Sequence, residues 1–477
     1  MDELSSRRCY VVLGICCMSL LMVGMDSTIV NVALPSIKVD LHASVSGLQW
    51  AVAAYVVTLA SVLVLAGSAA DRLGRRRVFQ AGLVVFSAAS LACSLAPGLG
   101  WLIGFRMVQA VGGSMLTPVA MSIITNVFPN ARERARAIGV WGGVSGLSLG
   151  IGPVLVGFLT EAFNWRAIFL VNVPIGVAAI ALAAIYIPES KAAHPRRIDP
   201  LGQVLLIAVL GLATFTIIDA PEQGWMSART LASFGAVAML LAGLIFCERR
   251  RFEPLIELRL FRSGPFSGAT AIAVLSFAAY SGFIFVLTLY LQEVRGLSPL
   301  RAGLILLPTA VITLFASPLS GRMVGTYGPR PSLLIACPLM TAGALSMLGI
   351  GSHSSYPHVV ISVLLFGCGF TFTNAPITNT AVSGLPRAQA GVAAALASTS
   401  RQVGSALGVA VVGSLINPVH GGTVATAIAK YGDAVWLTVA GMGAAMIVVA
   451  FASTSRRAIL SSRRAAEVLL VDEQVAV

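Results

Sequence analysis

Asp26 is the only carboxylate set well inside a long apolar stretch of this chain, and Arg106 is the matching cation inside another. On insertion scales a charged Asp at the middle of a membrane helix costs about 2.5–3.5 kcal/mol. Such a group persists if it faces a wet cavity, pairs with a cation or holds a proton. Alternation between the charged and protonated forms is what a proton carrier needs. The other reading makes Asp26 a polar helix-to-helix contact acting with Thr28 and Asn31. Gln109 and Gly113 follow Arg106 at i+3 and i+7 and so share its helix face. Arg106 either tunes the proton affinity of the carboxylate between two states or braces the structure through neighbouring carbonyls.

Further along, Arg401 shares a helix face with Ser398, Ser405 and Gly408. Packing and gating between two halves is one role for it, and contact with substrate is the other. Gln402, Phe370 and Asn374 are the remaining second-half candidates. Phe277, Tyr280, Phe283, Phe366 and Phe370 could line a greasy cavity for flat or cationic ligands; for any single ring, a lipid-facing place is the simpler expectation. Gly142, Gly146, Gly150 and Gly157 form a smooth stripe for close helix packing, with Pro153 after Gly152 adding a bend.

A third constellation is a basic turn, Gly67-Ser-Ala-Ala-Asp71-Arg72-Leu-Gly74-Arg75-Arg76. Arginines there anchor the cytoplasmic side of a membrane. The acid and the two glycines suggest more, because Asp71 could hold a helix N-terminus or an Arg in one conformation and release it in another. The design returns as Gly321-Arg-Met-Val-Gly325-Thr-Tyr-Gly328-Pro-Arg330, with Gly325 in place of Asp71. A basic turn repeated at half-chain spacing points to a duplicated membrane transporter.

The elements that must position these residues are apolar spans. A chain of 477 residues that is 57% hydrophobic and 11% charged is no ordinary soluble protein. Fourteen stretches are long enough to cross a bilayer: 10–34, 46–70, 78–97, 101–128, 137–161, 166–187, 199–219, 229–247, 265–291, 302–324, 331–351, 356–381, 391–416 and 434–454. The first runs on into Asp26 and Asn31 rather than into a cleavage site, so it reads as a span and not a signal peptide.

The formal charge of +13 follows topology rather than nucleic acid. Most Lys and Arg fall in the tails and loops that this arrangement puts inside, and the bias sets both termini in the cytoplasm. Seven cysteines without a CxxC, and five histidines without ligand spacing, support neither a disulfide framework nor a metal site. No Walker-type phosphate loop occurs and no catalytic cluster stands out, so neither ATP hydrolysis nor an enzyme is expected. The expected architecture is an all-α polytopic membrane protein of fourteen transmembrane helices. It has an N-terminal six-helix bundle (1–190), an inserted hairpin with linkers (191–262), a C-terminal six-helix bundle (263–455) and a cytoplasmic tail (456–477). Its two bundles are related as a parallel repeat.

Several segments resemble the motifs of one family. GSAADRLGRR (67–76) resembles the loop 2–3 signature of the major facilitator superfamily. MDSTIVNVALP (25–35), RMVQAVGG (106–113), LGIGPVLVG (149–157), NWRAIFLVNVPIG (164–176) and STSRQVGSALG (398–408) resemble motifs of its fourteen-span EmrB/QacA-type drug/proton antiporters. Val156 and Ala110 depart from the pattern at positions that usually carry Gly.

The resemblance implies a major facilitator fold that exports lipophilic, often cationic, compounds by alternating access. A proton gradient supplies the energy and no cofactor is needed. Asp26 would be the proton and substrate-cation site, with Arg106 as its coupling partner. Asp71, Arg75 and Arg76 would be the conformational latch, and Gly152, Pro153 and Gly157 the span 5 antiporter motif. The expected partners are a small lipophilic substrate, protons and the bilayer of the cytoplasmic membrane. Nucleic acid is not expected, and neither is a second copy of the chain. Export of an endogenous product such as an antibiotic, siderophore or lipid is the alternative on the same fold.

Overall fold

The computed structural model describes residues 6–192, 199–251, 254–382, 387–417, 422–455, 457–458, 460–462 and 464, and among them every regular element is helical. The helices are α1 (Ser6–Leu41), α2 (Val45–Leu73), α3 (Arg75–Ser94), α4 (Leu99–Val127), α5 (Ala131–Ala162), α6 (Ala167–Leu170) and α7 (Asn172–Tyr186). They continue with α8 (Pro200–Gln223), α9 (Ala228–Arg250), α10 (Gly264–Leu289), α11 (Pro299–Tyr327), α12 (Pro329–Leu345), α13 (Tyr356–Val382), α14 (Arg387–Leu415) and α15 (Val424–Ser453).

Helix lies over each of the fourteen apolar stretches, but among the described residues eleven helices are long and apolar enough to cross a membrane, α6 and α7 counting as one. Of the other three, α12 is 17 residues long, α14 carries the polar run from Ser398 to Gln402, and α5 includes positions that lie outside the described residues. The expected single span over 166–187 is interrupted after α6 because Pro174 cannot donate the backbone hydrogen bond that would carry one helix through.

Helix starts follow capping chemistry. Ser44 accepts from Gly47 N at 3.1 Å, Asn130 from Arg132 N at 2.9 Å, Asp199 from Gly202 N at 2.9 Å and Ser227 from Thr230 N at 3.2 Å. Two turns are made by one glycine each. Gly74, at φ 112°, ends α2 and begins α3, and Gly328, at φ 81°, does the same between α11 and α12. Both lie in the left-handed region that penalises side chains, which explains why glycine recurs in the duplicated turn.

The chain divides into two compact units, one of residues 1–198 with 296–310, the other of residues 199–295 with 311–477. Inside the first, α1 packs on α5, α4 and α7, and α3 packs on α4 and α7. Inside the second, α10 packs on α14, α13 and α15, and α12 packs on α13 and α15. The pairings correspond one for one, and so do their close contacts. A Cβ on Gly112 of α4 would stand 2.5 Å from Phe86 N of α3, and one on Gly369 of α13 would stand 2.6 Å from Met340 N of α12. Lipid offers little hydrophobic force between helices, so such backbone approach is what joins them. The hairpin of α8 and α9 belongs to the second unit, where α8 packs on α14. Trp101, Phe246, Phe315, Val448 and Phe451 are exposed, as a lipid-facing surface requires.

Candidate functional site

Six turns along α1, Asp26 meets the residues that the sequence pairs with it. Arg106 Nη1 of α4 donates to Asp26 Oδ2 at 2.5 Å and to Gln109 Oε1 at 2.9 Å, while Gln109 Nε2 donates to Asp26 Oδ1 at 2.9 Å. Because Arg106 and Gln109 are one turn apart, a single helix face holds both carboxylate oxygens. The network extends further than the charges. Gln109 Nε2 also donates to Ser90 Oγ of α3 at 2.7 Å, which in turn accepts from Asn172 Nδ2 of α7 at 3.2 Å. Arg106 Nε donates to the Ala51 carbonyl of α2 at 3.4 Å, and the guanidinium lies 4.1 Å above the Tyr55 ring.

Asp26, Gln109 and Ser90 are fully buried and Arg106 and Asn172 are 1% exposed. The ion pair is therefore dry in this conformation, and each charge is tolerated because the other is there. Protonation of Asp26 would leave a buried guanidinium facing neutral acceptors, a loss of several kcal/mol at most favourable geometry.

Asn31 is buried on α1 but lies outside this network, with Oδ1 lacking a hydrogen-bond partner. Five residues on from Asp26, it faces another side of the helix. Conversely, Tyr55, Ser90 and Asn172 escaped the sequence reading. Asn172 is a polar residue inside an apolar span and carried a usable signal; Tyr55 and Ser90 look like ordinary packing residues.

At the basic turn, Arg75 Nη2 donates to Asp71 Oδ1 at 2.9 Å within the same hairpin. The segment after α7 is laid across it. Arg75 N donates to Ser190 O at 2.9 Å, Ala192 N donates to Asp71 O at 3.1 Å, and Arg76 Nη1 donates to Ile187 O at 3.4 Å. Glu189, which the sequence did not mark, accepts from Arg76 N at 3.1 Å and so places a negative charge on the N-terminus of α3. Arg72 is exposed at the end of α2, and an added Cβ on Gly67 would meet nothing within 4 Å.

On α5, an added Cβ at Gly152 would stand 2.6 Å from Thr28 Oγ1, and one at Gly157 2.6 Å from Pro299 O at the start of α11. Gly303 is pressed against the Pro153 carbonyl in the same way. The expected uniform glycine stripe is corrected at Gly142, which faces open space, and the side positions of Gly146 and Gly150 lie outside the described residues.

The second-half candidates gather at the junction of α10, α13 and α14. Arg401 Nη2 donates to Thr378 Oγ1, and its guanidinium lies 5.9 Å from the Phe277 ring. Tyr280 stacks on Phe370 at 4.0 Å and 12°, and Phe283 stacks on Phe366 at 4.0 Å and 7°. Phe283, Phe366 and Phe370 are buried, which overturns the expectation of lipid-facing rings: they tie helices together. Asn374 and Gln402 are half-buried.

Residues 16–409 match the Major Facilitator Superfamily. The chain belongs to that superfamily. This facilitator is 35% identical over 399 residues to the multidrug resistance protein Stp of Mycobacterium tuberculosis, covering 84% of the chain and 74% of Stp. It is also 35% identical over 397 residues to the tetracenomycin C resistance and export protein of Streptomyces glaucescens, covering 83% and 74%. Among solved structures, a D-xylose–proton symporter matches with a TM-score of 0.65 at 14% identity, over 92% of the facilitator and 97% of the symporter, a likeness of fold. Membership fits the paired units, the duplicated glycine turn and the many apolar helices of a multi-pass membrane protein. Among the described residues no cluster of metal-ligating side chains occurs.

Proposed function

We propose that this facilitator exports lipophilic drugs or antibiotics across the cytoplasmic membrane in exchange for protons. The carrying observation is the Asp26–Arg106–Gln109 network, a buried ion pair that one proton can dissolve. In the proposed cycle Asp26 takes a proton from outside, Arg106 loses its counter-charge, and the helices around it rearrange. Release of the proton inward restores the pair. The curated relatives named for multidrug resistance and for antibiotic export give the direction and the substrate type.

The finer organisation belongs to the same reading. The chain is a fourteen-span carrier of the EmrB/QacA type and works as a monomer with both termini in the cytoplasm. The bundles are 1–190 and 263–455, the inserted hairpin lies within 191–262, and 456–477 is a tail. Asp71, Arg72, Arg75 and Arg76, with Gly67 and Gly74, act as the conformational latch, in which Glu189 and Arg75 are the contacts to be made and broken. Gly152, Pro153 and Gly157 supply the close packing of α5 that favours export. Export of an endogenous product is the second reading, favoured by relatives named for tetracenomycin C and for actinorhodin.

Transport of candidate compounds in energised inside-out vesicles tests the proposal. Proton release from the vesicle lumen when a compound is added supports antiport, and accumulation without proton movement removes it.

A further inference from the structure

Charge accounting within the spans narrows the substrate. Asp26, the carboxylate well inside the apolar stretches, is already neutralised by Arg106 and takes a second hydrogen bond from Gln109. It offers no spare negative charge to a lipophilic cation in this conformation. Arg401 is the opposite case. Among the described residues no carboxylate lies within ion-pair distance of it, and its Nε is buried without a hydrogen-bond partner. Thr378 takes one Nη2 hydrogen, and a guanidinium has five to place. A buried N–H left unpaired is costly, and a ligand oxygen would relieve that cost.

The surroundings supply the rest of a recognition site. Phe277 lies under the guanidinium, Phe370 meets Phe277 edge-on at 5.0 Å, and Tyr280 stacks on Phe370. Three helices contribute, α10 with Phe277 and Tyr280, α13 with Phe370 and Thr378, and α14 with Arg401. Phe277, Tyr280 and Arg401 are only half-buried, so they keep surface for a ligand, whereas Phe370 behind them is buried. A planar cation with a fork of donors beside flat rings suits a planar ligand that ends in a carboxylate or an acidic phenol.

We infer that Arg401, with Phe277 and Tyr280, forms a recognition site in the second unit for flat aromatic acids. The inference rests on the export reading and changes its substrate class from lipophilic cation to aromatic anion. It also changes the energetics. A monovalent cation exchanged for one proton moves no net charge, whereas an anion leaving while a proton enters moves two charges in the same sense. Export of the acid then draws on the membrane potential.

The test is equilibrium binding to the purified full chain in detergent, with three flat probes: anthraquinone-2-carboxylate, its uncharged carboxamide and ethidium. Wild type is expected to bind the carboxylate at least tenfold tighter than ethidium. Arg401→Gln should weaken the carboxylate tenfold or more and change the carboxamide and ethidium less than twofold. Arg401→Lys, which keeps the charge but not the fork, should fall between. No saturable carboxylate binding to wild type overturns the site, as does tighter ethidium binding or an equal loss of all three probes in Arg401→Gln. Binding is read without transport, so a protein that binds the acid yet exports nothing leaves the site standing and removes the export reading. Export that does not depend on Arg401 does the reverse.

Discussion

Cutting one side of the Asp26–Arg106 pair should cost far more than cutting a neutral bond in the same network. Asp26→Asn leaves the guanidinium buried with Gln109 Oε1 and the Ala51 carbonyl, both uncharged. Arg106→Gln leaves the carboxylate with Gln109 Nε2. Each single change strands a buried charge, at about 3–5 kcal/mol. Ser90→Ala removes neutral hydrogen bonds from Gln109 and Asn172, and interhelical bonds of that kind average about 0.6 kcal/mol in membranes. The double variant Asp26→Asn with Arg106→Gln strands nothing, so the two losses should fail to add by about 3 kcal/mol or more. Unfolding by SDS in mixed micelles gives these differences, and a thiol-reactive fluorophore reports them because Cys16 and Cys93 are buried and free. Additivity within about 0.5 kcal/mol would show that the two charges do not share one energetic unit.

Three further outcomes follow from the geometry. Glu189→Gln removes the charge at the start of α3 and the contact to Arg77; it should cost about 0.3–1 kcal/mol and raise hydrogen exchange at residues 187–192, while unchanged exchange there would dismiss the contact. Gly74→Ala forces a side chain into φ 112° and 2.6 Å from Glu189 Oε1, so a loss of about 1–2 kcal/mol is expected, against nearly none for Gly67→Ala, where the space is open. Gly408→Ala should abolish the α10–α14 contact, because its Cβ would stand 2.1 Å from the Ala278 carbonyl; wild-type yield and monodispersity of that variant would show the approach to be looser.

How much of this was legible beforehand follows from the solvent. A charge inside an apolar run has few reasons to be there, so Asp26 and Arg106 stood out, and Gln109 followed from helix geometry. The repeated turn was readable for a similar reason, since a left-handed linker of one residue demands glycine at both places. Helix rotation was not readable. In a bilayer both faces of a helix are apolar, and hydrophobic patterning no longer says which one meets lipid. That is why Phe283, Phe366 and Phe370 were expected outside and are found inside. It is also why Asn31 was grouped with Asp26 although it points elsewhere. Glu189 was missed because an acid in a loop is commonplace; its meaning appears only once the chain after α7 crosses the turn at Gly74.

Everything in the proposed cycle turns on Asp26 carrying the coupling proton. Inside-out vesicles containing wild type or Asp26→Asn, energised equally and given the same panel of flat acids and lipophilic cations, test it directly. Proton release on adding a transported compound, present in wild type and lost in Asp26→Asn despite normal folding and substrate binding, is the predicted result. Proton release that persists undiminished in Asp26→Asn would move the proton site elsewhere.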